Sequence, residues 1–187
     1  AGKHAAKGKN NLQLRRDSDL SIKFSGLITK KILSNELIKS FALPKKIHGT
    51  IFSKSTSGMK YGRHIDNAYM SSGRADLSFT VFLNCKKKYE GGALSIEGLN
   101  SEEKFKLDAG EIIIYPSTYL HSVEKVIDGE RLVFIGWIES YVKSIEEREY
   151  LFDLDAAARS LLAKYGRSEE VDLIYKSYSN FLRRLGN

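Results

Sequence analysis

Residues 75–97 read ADLSFTVFLNCKKKYEGGALSIE, and this stretch decides the fold. Two short runs rich in Val, Ile, Phe, Leu and Thr, 77–84 and 92–97, flank a polar segment that contains three consecutive lysines. Apolar, β-branched and aromatic runs of this length, separated by turn residues, are typical of β-strands. The stretch therefore predicts two strands joined by a solvent-exposed turn.

The same pattern extends outward in both directions, from about Ile47 to Val142, with turn signals between the runs. The remaining predicted strands are 47–54, 61–66, 103–107, 111–115, 121–126 and 131–141. Eight short strands at this spacing favour a double-stranded β-helix, or jelly roll, over a parallel α/β sheet.

Helical patterns flank the strands. Between Asp17 and Ser40, apolar residues recur at steps of three and four, with a break predicted at Ser34-Asn35-Glu36. After Tyr141, two further amphipathic segments are joined around Gly166, and they either cap the barrel or mediate self-association, for example in a homodimer. The predicted fold class is therefore mainly β with flanking helices: a jelly roll plus a small C-terminal helical subdomain.

This pattern divides the chain into three parts. Residues 1–16 are predicted to be a basic irregular segment. Residues 17–142 form the main domain, with a helical layer at 17–41 and the jelly roll at 47–142. Residues 143–187 form the C-terminal helical subdomain.

Composition limits the cellular setting. The 187 residues are 42% apolar, which suits one globular domain. No apolar run approaches the roughly 18 residues of a membrane span, and the polar, basic start lacks the apolar core of a signal peptide. Cys85 is the single cysteine and has no partner for an internal disulfide. These features favour a reducing compartment, the cytoplasm, and no membrane partner.

The net charge of +7 raises the question of a nucleic-acid partner. The positive charge is concentrated, however, in residues 1–16 and at Lys86–Lys88. A basic arm and a solvated loop account for most of it, so the charge does not favour a nucleic-acid substrate.

Two candidate metal ligands lie in Tyr-Gly-Arg-His-Ile-Asp-Asn, residues 61–67. On a strand, His64 and Asp66 point to the same face, about 6.5–7 Å apart, and Ile65 points to the opposite layer. An imidazole and a carboxylate so placed can bind one ion. His121, at the end of the strand-like run EIIIYPSTYLH, is the third candidate ligand. Two imidazoles and one carboxylate are the facial triad of non-haem Fe(II) oxygenases.

Arg131 gives this candidate metal site a more specific meaning. The sequence after His121, SVEKVIDGERLVFIGW, predicts a hairpin with its turn at Asp128-Gly129. Such a hairpin would return Arg131 to the neighbourhood of His121, pointing into the barrel. A buried guanidinium is best matched by a bidentate carboxylate, and the distal carboxylate of 2-oxoglutarate is a suitable one.

Two other residues have simpler interpretations. His48, in PKKIHGTIF, has no carboxylate at metal-binding spacing and is predicted to be an ordinary strand or loop histidine. Trp137 shares the strand face of Arg131 by parity and is predicted to line the pocket, for which packing is a sufficient explanation.

Beyond these residues, much of the chain resembles the PKHD-type hydroxylases, in the prolyl 4-hydroxylase-like branch of the Fe(II)/2-oxoglutarate dioxygenases. The resemblance rests on Lys9-Asn10-Asn11, Ala42-Leu43-Pro44, YGRHIDNA (61–68), ADLSFTVFLN (75–84), YEGGALSIE (89–97), KLDAGEIIIYPSTYLHSV (106–123), the series Gly129, Arg131 and Trp137, LFDLDAA (151–157) and YSNFLRRL (178–185).

The resemblance implies roles for particular residues. His64, Asp66 and His121 match the iron ligands, and Arg131 matches the residue that binds 2-oxoglutarate. The implied activity is hydroxylation of an unidentified substrate by O2, with release of succinate and CO2. L-ascorbate is the implied reductant, and the substrate is a small molecule or a peptide or protein side chain.

The sequence departs from the family pattern in two ways. Family members usually have a further strand and helix ahead of the Lys-Asn-Asn segment. They also tend to have a tyrosine nine residues before the first histidine, where this chain has Ser55. A smaller side chain there would loosen the co-substrate or enlarge the pocket. Two alternatives stay open: a non-catalytic metal-binding jelly-roll module, and an AlkB-like nucleic-acid demethylase. The demethylases carry a second arginine six residues after the first, where this chain has Trp137.

Overall fold

The computed structural model describes residues 8–98 and 101–187. The helices are α1 (Asp19–Leu33), α2 (Glu36–Ala42), α3 (Ile145–Tyr165) and α4 (Glu169–Leu185). The strands are β1 (Leu12–Gln13), β2 (Pro44–Thr56), β3 (Tyr61–His64), β4 (Tyr69–Met70), β5 (Gly73–Arg74), β6 (Leu77–Phe82), β7 (Tyr89–Gly91), β8 (Leu94–Glu97), β9 (Glu102–Phe105), β10 (Ile112–Pro116), β11 (His121–Val123) and β12 (Val126–Ser140). Within the described residues, no helix is both long and apolar enough to cross a membrane.

Two antiparallel sheets form the jelly roll. The larger sheet has the order β1-β2-β12-β6-β10, with β7 paired to β12, and the smaller has the order β3-β11-β8-β9. A short β4-β5 ribbon stands apart from both. The predicted mainly β fold with flanking helices is confirmed.

Strand β6 lies between β12 and β10 in the larger sheet, and all six of its residues are buried. A strand buried on both faces must be apolar or small throughout, which explains the run LSFTVF. Phe79 from β6 packs on Phe134 from β12, with ring centroids 5.8 Å apart. Leu94 and Ile96 from the smaller sheet pack with Tyr115 from the larger sheet, so the core lies between the two layers.

Two predicted features of the strands are wrong. The strand predicted over 61–66 ends at His64, and Ile65 is 52% exposed instead of packed in an opposite layer. The predicted Asp128-Gly129 hairpin turn does not form, because both residues lie within β12 and pair with Glu90 and Tyr89 of β7. Gly129, with φ of 78°, accommodates the irregular register there, so a glycine at this point bends a strand instead of ending it.

The consequence is a different route from His121 to Arg131. The chain leaves β11 at Val123, in the smaller sheet, and begins β12 at Val126, in the larger sheet. The two residues therefore approach each other across the barrel interior, from opposite sheets, and not as members of one hairpin.

The basic segment is more ordered than predicted. Residues 1–7 lie outside the described residues. Leu12 and Gln13 form β1, paired with β2, and Lys9 makes an isolated bridge to Tyr61 of β3. The segment has no apolar alternation that would indicate a strand. Backbone hydrogen bonds, together with the hydrogen bond from the Asn11 side chain to Ser53, attach it to the sheets.

The helices agree with the sequence pattern. Asn35 caps α2 through its side-chain oxygen, which accepts a hydrogen bond from the Ile38 amide at 3.0 Å, so the predicted break at 34–36 is a helix boundary. Gly166 ends α3, and Ser168 caps α4. Residues 30–45 and 140–187 form one compact unit, and residues 46–139 belong to the other. The boundaries predicted after residues 16 and 142 stay predictions, because compactness does not establish which pieces fold independently.

Candidate metal centre

His64 and Asp66 lie at the point where β3 ends. His64 is the last residue of the strand and is 9% exposed, whereas Asp66 follows in an irregular segment. The parity argument that placed both on one strand face therefore does not apply. The irregular backbone after His64 nevertheless brings the Asp66 carboxylate back to the imidazole.

His121 completes the cluster from the neighbouring strand. It is the first residue of β11 and stands directly opposite His64 in the β3-β11 register, with ring centroids 4.2 Å apart. One ligand atom from each of His64, Asp66 and His121 lies within 4.8 Å of the others. The three predicted residues are thus brought together with a spacing that can hold one metal ion.

The hydrogen bonds of the two imidazoles fix which nitrogen could bind a metal. His64 Nδ1 lies 2.8 Å from the Gly62 carbonyl oxygen, and His121 Nδ1 lies 3.0 Å from the Tyr119 carbonyl oxygen. A carbonyl oxygen can only accept, so each Nδ1 carries the hydrogen and donates. Both Nε2 atoms are then left with a lone pair for a metal, the arrangement usual for histidine ligands.

The protonation of His64 also favours metal binding. Burial, and secondarily the positive charge that His121 acquires on protonation, lower the pKa of His64 to about 4. The ring is therefore neutral at physiological pH, as a metal ligand must be.

Asp66 accepts hydrogen bonds from side chains that no sequence pattern connects with it. Ser78 Oγ donates to Asp66 Oδ2 at 2.6 Å, and Trp137 Nε1 donates to the same oxygen at 2.9 Å. Ser78 also shares a hydrogen bond with Ser117 at 2.8 Å. The prediction that Trp137 lines the pocket is confirmed, but packing alone does not describe its role.

Arg131 is buried in the same cavity, with only 3% of its surface exposed. Its guanidinium lies over the Phe82 ring, 5.5 Å from the centroid, and its Nε has no hydrogen-bond partner. No carboxylate among residues 8–98 and 101–187 forms an ion pair with it. Burial lowers the pKa of Arg131, and Tyr89 and Tyr115 offset part of that effect. A buried, unpaired cation of this kind calls for an anionic ligand.

The cavity that joins these residues has a volume of about 430 Å³. Alternate residues of β2, Ile51, Ser53 and Ser55, face it, and all three are buried. Ser55 thus occupies a wall of the cavity, and its effect on the co-substrate stays a prediction. The β4-β5 ribbon and the segment from Lys9 to Arg16 contribute further wall residues, and sequence reasoning missed that second contribution.

His48 is the ordinary strand histidine that its sequence context predicts. His48 is a buried residue of β2, and its ring nitrogens contact Ser72 Oγ at 2.9 Å and the Arg74 carbonyl oxygen at 2.8 Å. Cys85 follows β6 and donates a weak hydrogen bond from its thiol to Asp108. Neither residue belongs to the metal-binding cluster.

Comparison with known proteins supplies the family. Residues 50–139 match the model of the 2OG-Fe(II) oxygenase superfamily, and residues 146–186 match that of the PKHD-type hydroxylase C-terminal domain. The chain is 77% identical over 186 residues to a PKHD-type hydroxylase of Prochlorococcus marinus strain MIT 9215. That match covers all of this chain and 84% of the relative. A second relative, from strain MIT 9515, is 72% identical over 187 residues, and that match covers 85% of the relative.

Solved structures support the fold. A prolyl-4-hydroxylase from Pseudomonas putida superposes with a TM-score of 0.51 at 19% identity, over 70% of this chain and 71% of that one. A prolyl hydroxylase from Trichoplax adhaerens, solved with a peptide fragment, gives a TM-score of 0.50 at 17% identity, over 77% and 66% of the two chains. Together with the family models and the sequence identities, the geometry leads to one conclusion: the chain belongs to the PKHD-type hydroxylases of the 2OG-Fe(II) oxygenase superfamily.

Proposed function

We propose that the cavity is the active site of an Fe(II)- and 2-oxoglutarate-dependent dioxygenase, in which His64, Asp66 and His121 hold the iron and Arg131 holds the co-substrate. Membership of the superfamily establishes the activity class and its use of Fe(II) and 2-oxoglutarate. The assignment to these four residues rests on their convergence in one cavity.

The donor set suits Fe(II). Two neutral imidazole nitrogens and one carboxylate oxygen are the facial triad of non-haem Fe(II) oxygenases, and such a triad leaves coordination positions open. Iron and 2-oxoglutarate, when bound, supply the oxygen activation, with succinate and CO2 as co-products.

The protein's own contribution is binding, orientation and exclusion of water. Arg131 presents its guanidinium to a carboxylate inside a largely buried site, where a charge-assisted hydrogen bond gains strength from the low local dielectric. The Gly62 and Tyr119 carbonyls orient the two imidazoles, while Ser78 and Trp137 orient Asp66. The hydroxylated substrate would enter the cavity beside these groups.

Two finer assignments complete the proposal. L-ascorbate serves as the reductant that keeps the iron in the ferrous state, and it should increase the number of turnovers before inactivation. The free thiol of Cys85 supports a reducing compartment such as the cytoplasm.

The test is succinate formation from 2-oxoglutarate in the presence of Fe(II), measured without any primary substrate and then with candidates. His64→Ala, Asp66→Ala and His121→Ala should each abolish both iron binding and succinate formation. His48→Ala is the matched control, because His48 is a buried histidine of the same unit that lies outside the cluster. Succinate formation that survives His64→Ala would refute the assignment. A persistent zero with iron bound would instead favour the non-catalytic binding module.

A further inference from the structure

The basic N-terminal segment forms one wall of the active-site cavity. The Gly62 amide donates to the Gly8 carbonyl at 3.0 Å, and the Asn10 amide donates to the Lys60 carbonyl at 3.0 Å. Farther along, Leu12 pairs with Lys54 of β2. The segment is thus attached to strands of both sheets, and its side chains have defined positions.

Lys9, in this wall, is linked to the metal-binding cluster through Tyr61. Its ammonium lies 5.3 Å from the centroid of the Tyr61 ring, and that ring stacks on His64 with centroids 3.7 Å apart. Asn11 anchors the segment beside it by donating from Nδ2 to Ser53 Oγ at 2.6 Å. One aromatic ring therefore separates the Lys9 ammonium from a candidate iron ligand.

Lys9 and Arg16 both line the cavity, and neither forms an ion pair with a carboxylate in the described part of the chain. Arg16 is exposed, as is the adjacent Arg15, but Arg15 differs because it pairs with Asp17 at 2.7 Å. Burial and the nearby charge of Arg16 lower the pKa of Lys9, and the Asp66 carboxylate offsets part of that effect, so a second cation lies close to Lys9. Such an arrangement is typical of a site for an anion.

The catalytic groups do not need these two charges. The negative charges of the Asp66 carboxylate and the dianionic 2-oxoglutarate offset the positive charges of Fe(II) and Arg131. Among the lysines and arginines that line the cavity within residues 8–98 and 101–187, Lys9 and Arg16 are the ones that neither form an ion pair with a carboxylate of the protein nor are assigned to the co-substrate. An anionic group of a bound molecule can therefore pair with both.

We propose that Lys9 and Arg16 bind the anionic group, a carboxylate or a phosphate, of a small-molecule substrate. This inference rests on the proposed function, because it assigns the rim of the cavity to the substrate of that reaction. The cavity volume of about 430 Å³ lies in the range of small-molecule sites. Tight binding of a nucleic acid requires contacts to many phosphates, and the part of the chain that the structure describes places two cations besides Arg131 in the cavity wall.

Inorganic phosphate is the first probe. The protein is loaded with Mn(II) and 2-oxoglutarate, and the paramagnetic relaxation of the phosphate ³¹P signal is measured at low ionic strength. Bound phosphate near the metal relaxes rapidly, because the effect falls steeply with distance. We expect a saturable effect whose apparent Kd rises about fivefold or more in Lys9→Ala and in Arg16→Ala, since charge-assisted hydrogen bonds are lost. Arg15→Ala is the matched control and should bind like the wild type.

The outcomes separate this inference from the proposed function. If Mn(II) or 2-oxoglutarate fails to bind, the proposed function fails. If both bind but the phosphate effect does not saturate, or is the same in Lys9→Ala and Arg16→Ala as in the wild type, only the anion site is refuted. If phosphate bound directly to manganese, the relaxation effect would be the same in the variants as in the wild type.

Turnover identifies the anionic group and the size of its carrier. Matched pairs of carboxylic acids and their amides, and of phosphomonoesters and their alcohols, are tested for stimulation of succinate formation by the iron enzyme. We expect only the anionic members to stimulate, with a KM that rises in Lys9→Ala and Arg16→Ala while the KM for 2-oxoglutarate is unchanged. Equal stimulation by the neutral members would overturn the inference. So would stimulation only by an oligonucleotide or an acidic peptide.

Discussion

Trp137 donates a hydrogen bond from its indole N–H to Asp66 Oδ2 across 71 positions of sequence, at 2.9 Å. Ser78, which stands opposite Trp137 in the β6-β12 register, donates to the same oxygen at 2.6 Å. Two cross-strand neighbours thus hold one oxygen of a candidate iron ligand. The same oxygen lies 3.7 Å from His121 Nε2, so the two hydrogen bonds hold the Asp66 carboxylate within the metal-binding cluster.

Trp137→Phe should weaken metal binding while preserving much of the packing. Outer hydrogen-bond partners of metal ligands typically change metal affinity by about 10- to 100-fold, and a loss in that range is expected here. The Kd of Mn(II), measured by the electron paramagnetic resonance signal of the free ion, reports this without requiring turnover. Ser78→Ala should act in the same direction. Ser71 lines the cavity but does not donate to Asp66, so Ser71→Ala serves as the control. Unchanged affinity in both variants would show that the hydrogen bonds do not position Asp66.

The fluorescence of Trp137 should report metal binding directly. Trp137 is the only tryptophan of the chain, so the signal has no background from other sites. Because the indole is hydrogen-bonded to a candidate ligand, Co(II) or Mn(II) should quench it in a saturable way. His121→Ala, which removes a candidate ligand but leaves the indole contact, should abolish the saturable part. Quenching that persists there would place the metal elsewhere.

Arg131→Leu should separate stability from co-substrate binding. The guanidinium is buried and lacks a carboxylate partner among the described residues, so replacing it by an apolar side chain should leave the Tm of the metal-loaded protein unchanged or higher. Affinity for 2-oxoglutarate should fall roughly thirtyfold or more, or ~2 kcal/mol, as for the loss of a buried charge partner.

Thermal shift with and without 2-oxoglutarate checks both parts of this prediction. The co-substrate should raise the Tm of the wild type and of Arg63→Leu, a control in which the lost arginine is exposed and pairs with Glu97 outside the cavity. It should not raise the Tm of Arg131→Leu. An equal rise in all three proteins would contradict the role of Arg131.

The stability of the metal-free protein should depend on pH through His64. In the unfolded chain His64 takes up a proton near its ordinary pKa of 6.5, but in the folded chain it does so only near 4. Between those values the unfolded state binds more protons, so the free energy of unfolding should fall as the pH is lowered from about 6.5 to about 4. Urea unfolding across this range should show a weaker pH dependence in His64→Gln and in His64→Ala. Identical slopes in variants and wild type would argue against the lowered pKa.

The residue types and the family resemblance were sufficient to predict that His64, Asp66, His121 and Arg131 share one cavity. The routes by which they arrive were not predictable. The pattern of alternation continues past His64, yet the strand stops there, since pairing with β11 ends at that residue. Likewise, Asp128-Gly129 resembles a turn in isolation, but pairing with β7 incorporates it into β12.

The side-chain contacts around the site could not be predicted from the sequence either. The hydrogen bonds of Trp137 to Asp66 and of Asn11 to Ser53 join residues 71 and 42 positions apart. Side chains of these types can form hydrogen bonds with many different partners, so composition does not specify which partner each one has. The basic segment illustrates the same limit: its charge is evident from the sequence, but its place beside the cavity depends on backbone hydrogen bonds to Lys60 and Gly62.

Strand β12 sets the distance between two of the side chains that line the cavity. Arg131, Val133, Ile135 and Trp137 alternate along it and all line the cavity, so Arg131, the proposed co-substrate anchor, and Trp137, the Asp66 donor, are fixed about 20 Å apart along one strand. Inserting or deleting a single residue between Arg131 and Trp137 would turn one of them to the opposite face, whatever the side chains were. The number of residues between Arg131 and Trp137 therefore matters more than their identity. Catalysis should tolerate a substitution at Val133 or Ile135 far better than an insertion or deletion in this segment.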